Sequence, residues 1–138
     1  MLLRFSVYLR EEKVKRGSPD ISEAKGLMEA GIKDIETIKS FEFSENAAHM
    51  IFKNIYDAIR SVLQAFLSKE GYTPYSHEVI ISFNLEKNNI TPEEANKLDK
   101  FRQLRNDISY RAAKATVKEA KELYALASSI SARLKNKI

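Results

Sequence analysis

The sequence contains no cysteine and no tryptophan, and only three prolines and four glycines occur among its 138 residues. Without cysteine there can be no disulfide, thiolate metal site or thiol nucleophile. The glycines lie too far apart, at positions 17, 26, 31 and 71, to form a phosphate-binding loop. No apolar run approaches the ~20 residues that a membrane-spanning helix needs, and Arg4 and Arg10 interrupt the apolar start. We therefore expect a cytoplasmic protein with no signal peptide and no membrane anchor.

Positive charge is scarce in the middle of the chain and abundant at its end. The formal net charge is +4, and residues 91–138 carry 11 basic and 6 acidic side chains, whereas residues 17–90 carry 7 and 11. A basic segment attracts anionic partners such as nucleic acid, although a lysine-rich solvated helix face has the same composition. Charge alone leaves both interpretations open.

Only two histidines are present, and their surroundings in the sequence do not indicate a metal site. His49 and His77 fall in different predicted helices, and neither has a histidine or carboxylate three or four residues further along. We therefore predict no metal and no cofactor. His49 is interpreted as a packed or surface residue, and His77 as a residue at the start of a helix.

The spacing of apolar residues is helical almost throughout. It predicts helices near residues 2–15, 19–39, 45–70, 77–88, 92–110 and 117–136. Thr91 and Thr116 each precede a glutamate by three residues, which is the pattern of a capping box at a helix start. Ser18-Pro19 is also typical of a helix start, and Gly71 of a helix end. The first helix is open to question, because residues 3, 5, 7 and 9 also alternate like a strand. The prediction is an all-α, up-and-down bundle of four to six helices that forms a single domain over residues 1–138.

The predicted helix at 45–70 has two neighbouring apolar stripes instead of one. Such a helix must be covered on more than one side, either at the centre of a bundle or in a dimer. The first stripe comprises Ile51, Ile55, Val62 and Phe66, and the second comprises Phe52, Tyr56, Ile59 and Leu63.

The stretch FRQLRNDISYR (101–111) is the main candidate for a functional site. On a helix, its three large apolar residues fall within an arc of about 60°, which must face the core. A separate arc of about 140° carries Arg102, Arg105, Asn106, Ser109 and Tyr110. Arginine forks bind phosphate oxygens, asparagine donates and accepts hydrogen bonds, and tyrosine stacks on bases. This face could bind phosphate and nucleotide, or it could be an ordinary solvated surface.

The segment RNDISYR (105–111), followed by a capped last helix, resembles the C-terminal motif of the HEPN superfamily of small helical domains. The run IYDAIRSVLQAFLSKEGYTPYSHEVIISF (55–83) resembles the long central helix, glycine turn and Ser-His segment of the same family. The resemblance covers roughly residues 20–136. Residues 1–16 lie outside it and are predicted to add an extra N-terminal helix.

The resemblance implies a homodimeric helical bundle, and in many members a metal-independent endoribonuclease paired with a minimal nucleotidyltransferase antitoxin. In those enzymes an arginine, a following polar residue and a histidine act on the scissile phosphate and the ribose 2′-hydroxyl. Arg105 matches the arginine and Asn106 the polar residue, whereas Tyr110 stands at the position of the histidine. In this respect the chain resembles a branch of the family that also carries tyrosine at this position.

The tyrosine leaves several functions open. Because tyrosine ordinarily has a pKa near ~10, it is a poor general base at neutral pH. The resemblance implies binding of RNA or nucleotide by Arg102, Arg105, Asn106 and Tyr110, with Arg105 and Tyr110 as the catalytic pair if the domain cleaves RNA in a toxin–antitoxin system. Alternatively, the same residues form the seam of a non-catalytic dimeric interaction module. A third alternative is an accessory subunit of a nucleotidyltransferase, in which Tyr110 accepts a transferred nucleotide.

Overall fold

A computed structural model describes residues 2–138 as six helices and one short two-stranded sheet. This agrees with the predicted all-α class and the upper end of the predicted helix number. In chain order the elements are α1 (Phe5–Arg10), β1 (Val14–Arg16), α2 (Ile21–Ile38), α3 (Ala48–Glu70), β2 (Tyr72–Pro74), α4 (His77–Glu86), α5 (Pro92–Arg111) and α6 (Val117–Leu134).

Helix α3 lies at the centre of the bundle and contacts α2, α4, α5 and α6. All eight residues of its two apolar stripes are buried. The partners from the other helices include Phe101 of α5, whose ring meets the ring of Phe52 edge-on with centroids 5.6 Å apart. Of the two arrangements that the stripes allow, the structure shows the bundle centre. A dimer is not needed to cover α3 and stays a prediction.

Side-chain caps fix the starts of the last two long helices where the sequence predicted them. Thr91 accepts a hydrogen bond from the Glu94 backbone N–H, and the Glu94 carboxylate accepts one from the Thr91 N–H. Thr116 and Glu119 form the same pair. These two capping boxes place α5 and α6 within one or two residues of their predicted bounds.

Of two other helix boundaries, one differs from the prediction and one agrees with it. Helix α2 begins after Asp20, whose carboxylate accepts a hydrogen bond from the Glu23 N–H, and not at Ser18-Pro19. Gly71 ends α3 as predicted, with a φ of 91°. A Cβ at Gly71 would clash with the Gly17 carbonyl oxygen, so both the conformation and the space require glycine there.

The predicted helix at residues 2–15 is wrong in its length. Helix α1 has only six residues, and Val14–Arg16 form a strand that pairs antiparallel with Tyr72–Pro74. The local alternation at residues 3–9 does not make a strand either. The actual strand forms because β2, more than 50 residues later, supplies its hydrogen-bond partner, which local sequence patterns cannot reveal.

The N-terminal segment is docked onto α4 by polar contacts. The Ser82 hydroxyl donates to the Leu3 carbonyl oxygen (2.7 Å), and the Glu86 carboxylate accepts from the Phe5 N–H (2.6 Å). The ring of Phe5 packs edge-on against Phe83 and Tyr72. Residues that lie outside the predicted family resemblance therefore belong to the core.

Helix α2 contains two glycines in opposite environments, which gives a matched pair of substitutions. A Cβ at Gly31 would lie 2.6 Å from the Ala58 carbonyl oxygen and 2.7 Å from Val62 Cγ2, whereas a Cβ at Gly26 would meet nothing within 4 Å. Gly31→Ala should lower the free energy of unfolding by roughly 1–3 kcal/mol through overpacking. Gly26→Ala should raise it by up to about 1 kcal/mol, because alanine is the better helix former. Urea unfolding of both variants measures this difference, and equal effects would show that α2 does not approach α3 this closely.

Candidate functional site

The RNDISYR segment forms the last two turns of α5, which ends at Arg111 with Ala112 in a left-handed conformation (φ 55°). The predicted polar side chains are thus carried by one regular helix. Asn106 and Ser109 are half-buried, whereas the Tyr110 side chain projects into solvent with 80% of the residue exposed. Tyr110 is therefore accessible to a partner molecule but is not enclosed in a pocket.

Arg105 points toward α3 and is held there by Asp57. Its Nε lies 3.1 Å from Asp57 Oδ1 and its Nη2 3.2 Å from Oδ2, which is the bidentate geometry that a guanidinium also uses for phosphate. The two side chains are only 15% and 32% exposed, so water screens the pair incompletely. Within residues 2–138 no acceptor contacts Nη1 of Arg105, so one edge of the guanidinium stays open to a ligand.

Arg102 is held by two carboxylates. Its Nε donates to Asp99 one turn earlier on α5 (2.9 Å), and its Nη1 lies 3.6 Å from Glu78 on α4. Glu78 also accepts a hydrogen bond from the hydroxyl of Tyr8 in α1 (3.3 Å). The N-terminal segment thus contributes to the environment of Arg102, and burial raises the pKa of the Tyr8 phenol so that it remains a hydrogen-bond donor.

His77 lies among these arginines, at the first position of α4. Its ring faces the ring of Tyr56 with centroids 6.0 Å apart. The positive charges of Arg60, Arg105 and Arg102 disfavour protonation of the imidazole. Partial burial, followed by the neighbouring arginines, lowers the pKa of His77 to about 4. The imidazole is therefore neutral at pH 7 and can accept a proton or a hydrogen bond.

The prediction that His77 lies at the start of a helix is confirmed, but its neighbours in the fold were not predicted. His77 does begin α4, but its neighbours come from α3 and α5, and spacing within one helix cannot reveal them. The same holds for Asp57 and Glu78, which were not among the predicted site residues. We call these residues together the α3–α4–α5 cluster: Tyr56, Asp57, Arg60, His77, Glu78, Asp99, Arg102 and Arg105.

The cluster combines anion-binding groups with a titratable one. Its three guanidiniums and three carboxylates balance in formal charge, and burial raises the pKa of the Tyr56 phenol, which keeps it protonated. A cavity of about 10 Å³, the size of one water molecule, lies beside Tyr56, Arg60 and His77. Nε of Arg60 is buried without a hydrogen-bond partner in the described part of the chain. The cluster thus holds an unpaired donor and a neutral imidazole side by side.

Among residues 2–138 no group of three or more histidine, aspartate or glutamate side chains is arranged to hold a metal ion. None of the helices in the same range combines the length and apolar character needed to cross a bilayer.

The pairing of Arg105 with Asp57 can be measured against a solvent-exposed pair on the same helix. Arg111 and Asp107 are 3.9 Å apart with side chains 81% and 48% exposed, so their coupling should be below about 0.5 kcal/mol. A double-mutant cycle with Asp57→Asn and Arg105→Gln should give a coupling energy of roughly 1–2 kcal/mol, because this pair is bidentate and partly buried. Urea unfolding gives both values. Equal coupling in the two cycles would mean that Arg105 is not anchored by Asp57.

The comparisons with known proteins bear on the same helices. Searches of curated proteins and of solved structures gave no significant match. The family model described as the HEPN domain matches residues 24–137. This range covers α3, α4, α5 and α6 with every member of the α3–α4–α5 cluster, and it leaves out α1 and β1. The chain belongs to the HEPN domain family.

Proposed function

We propose that this chain is an RNA- or nucleotide-binding HEPN domain that works as a homodimer in a toxin–antitoxin or related nucleic-acid defence system. Its binding surface is the end of α5, with Arg105, Asn106 and Tyr110 as the contacting residues and Arg102 in support. Family membership supports the broad class of function, and the geometry of the cluster supports the choice of residues.

The observation that carries the proposal is the placement of the His77 ring, which packs against Tyr56 and lines the same small cavity as Arg60, close enough to Arg102 and Arg105 for their charges to favour its neutral form. Phosphodiester chemistry needs donors for the phosphate oxygens and a group that can take a proton. The arginines supply the former and His77 the latter. A bound phosphate would also raise the pKa of His77 from its low value toward neutrality, because a nearby anion stabilises the imidazolium.

In the ribonuclease form of this proposal, Arg105 holds the scissile phosphate through its open edge and Asn106 orients it. Tyr110 or His77 takes the proton from the attacking ribose 2′-hydroxyl. Asp57 has two effects on this step. It fixes the direction of the Arg105 side chain, and it competes with phosphate for the guanidinium.

The second candidate is a non-catalytic interaction module, and the exposure of Tyr110 favours it. An 80% exposed tyrosine and a 60% exposed Met50 are apolar surfaces that a second subunit could cover. The same exposure would let the Tyr110 hydroxyl enter the active site of a nucleotidyltransferase partner and accept a nucleotide.

RNA binding by this surface should depend on salt and on Arg105. Fluorescence anisotropy with a labelled single-stranded RNA, in EDTA, should show binding that weakens between about 50 and 200 mM salt through counterion release. Arg105→Gln should weaken binding about tenfold, whereas Arg10→Gln removes the same charge from an exposed position of α1 and should change it little. Equal losses in the two variants would indicate general charge attraction and contradict a site at α5.

Cleavage should respond to the residue at position 110. Tyr110→His introduces a group that titrates near working pH, and a positioned general base contributes roughly a hundredfold or more, so metal-free cleavage of mixed RNA should appear or increase. Adding Arg105→Gln should abolish the gain, because the charge that develops on the phosphate is then unstabilised. Tyr110→Phe is the control for the hydroxyl.

The same samples separate the alternatives. If no variant cleaves while all keep the wild-type melting temperature, the ribonuclease form is excluded. If Tyr110→His changes the mass measured by light scattering instead of the cleavage rate, the surface is a dimer seam.

A further inference from the structure

A groove on the other side of the bundle, between α2 and α6, has the features of a ligand site. Its deeper part is a cavity of about 260 Å³ that includes Ile35, Lys39, Ser128, Ser131 and Lys135 in its lining. It continues into a shallower hollow of about 430 Å³. The two share Lys39 and Tyr124. Together they are in the size range of sites for small organic ligands.

Two serines that line the groove have buried, unpaired hydroxyl groups. Ser131 is 5% exposed, and its Oγ is buried with no hydrogen-bond partner in the part of the chain that the structure covers. The Oγ of Ser128, one turn earlier, is also buried with no hydrogen-bond partner in that part of the chain. Buried hydroxyls are nearly always hydrogen-bonded in folded proteins, so each of these is a donor for which the described chain provides no acceptor.

The rim of the groove is cationic and its wall is aromatic. Lys39, Lys121 and Lys135 line it together with Glu36 and Glu42, which leaves a local charge of +1. Within residues 2–138 none of these five side chains forms an ion pair.

The rings of Tyr124 and Phe43 meet edge-on with centroids 5.9 Å apart, and Phe41 beside them is 49% exposed. This edge-on contact holds the Tyr124 ring in one orientation while Phe41 remains uncovered. The wall therefore offers a fixed aromatic surface and a free one, on which a flat ring can stack.

We propose that the α2–α6 groove binds a small aromatic anion, that is, a ring bearing a phosphate, sulfonate or carboxylate group. The acidic oxygens accept hydrogen bonds from Ser131 and Ser128 and face Lys39 and Lys135, and the ring stacks against Tyr124 and Phe41. The two glutamates on the rim keep the net charge low and disfavour a polyanion such as RNA. This site is separate from the α3–α4–α5 cluster and does not depend on its function.

The test uses 1-anilinonaphthalene-8-sulfonate, an aromatic sulfonate whose fluorescence rises on binding. Binding to the folded wild type should saturate at one molecule per chain, and amide NMR shifts should move in α2 and α6. Two smaller compounds, inorganic phosphate and 1-naphthol, should each bind at least about tenfold more weakly. Phosphate has no ring to stack on the aromatic wall, and 1-naphthol has no charge to face the lysines.

Two exposed alanines of α6 give a matched pair of blocking variants. Ala132 lines the cavity, whereas Ala125 does not, so Ala132→Leu should weaken binding more than about tenfold and Ala125→Leu should leave it unchanged. Both positions are exposed, so neither variant should alter the fold, which a melting curve verifies. Lys39→Gln should weaken binding about threefold, against no change for Lys15→Gln in β1.

The proposal is overturned if a folded Ala132→Leu variant binds the dye as well as wild type. It is also overturned if Ala132→Leu and Ala125→Leu lose the same amount of binding. If Ala132→Leu does not fold, the comparison of Lys39→Gln with Lys15→Gln decides in the same way. NMR shifts confined to α5 would also overturn it, because the anion would then be in the other site.

Discussion

The burial of α3 on several sides is the constraint on which the rest of the structure depends. A 23-residue helix with two apolar stripes can be desolvated only if several helices surround it. At roughly 25 cal/mol per Å² of apolar surface removed from water, burying its large apolar side chains is a dominant favourable contribution to folding. Helices α2, α4, α5 and α6 are therefore arranged around one axis, and their positions relative to one another follow from their contacts with α3.

The same constraint explains the charged cluster. Asp57 and Arg60 lie on α3, where most of the surface is covered, so their charges must be met by groups on the covering helices. Arg105 of α5 meets Asp57, and His77 of α4 fills the space near Arg60 and stays neutral there. The groups that could bind a phosphate are thus also the groups that join α4 and α5 to the central helix. Any function at this surface must use side chains that are already oriented by structural contacts.

Much of the fold follows from local sequence signals, and most of the site does not. The capping boxes at Thr91 and Thr116 and the glycine at position 71 are satisfied within a few residues of themselves, so the sequence alone predicts those helix ends. Arg102, Arg105, Asn106 and Tyr110 also lie on one helix, as the spacing predicts, whereas their joint role as a site stays a prediction. By contrast, Asp57 is 48 residues from Arg105, and β1 pairs with a strand more than 50 residues away. Contacts of this range depend on the packing of whole helices, and no spacing rule within one element encodes them.

The two surfaces differ in how their polar groups are satisfied, and this difference bears on what each can bind. In the α3–α4–α5 cluster, Arg102 and Arg105 already have carboxylate partners, so a ligand must share or displace them, and binding there involves exchange of one anion for another. In the α2–α6 groove the hydroxyls of Ser128 and Ser131 have no partner within the described chain, so a ligand supplies hydrogen bonds that the fold lacks. Exchange favours a ligand with strong and multiple charge, such as an RNA backbone. A site whose own donors are unpaired favours a small molecule with a few acceptors that match those donors. The reason is that a buried donor left unpaired costs more free energy than an average hydrogen bond contributes.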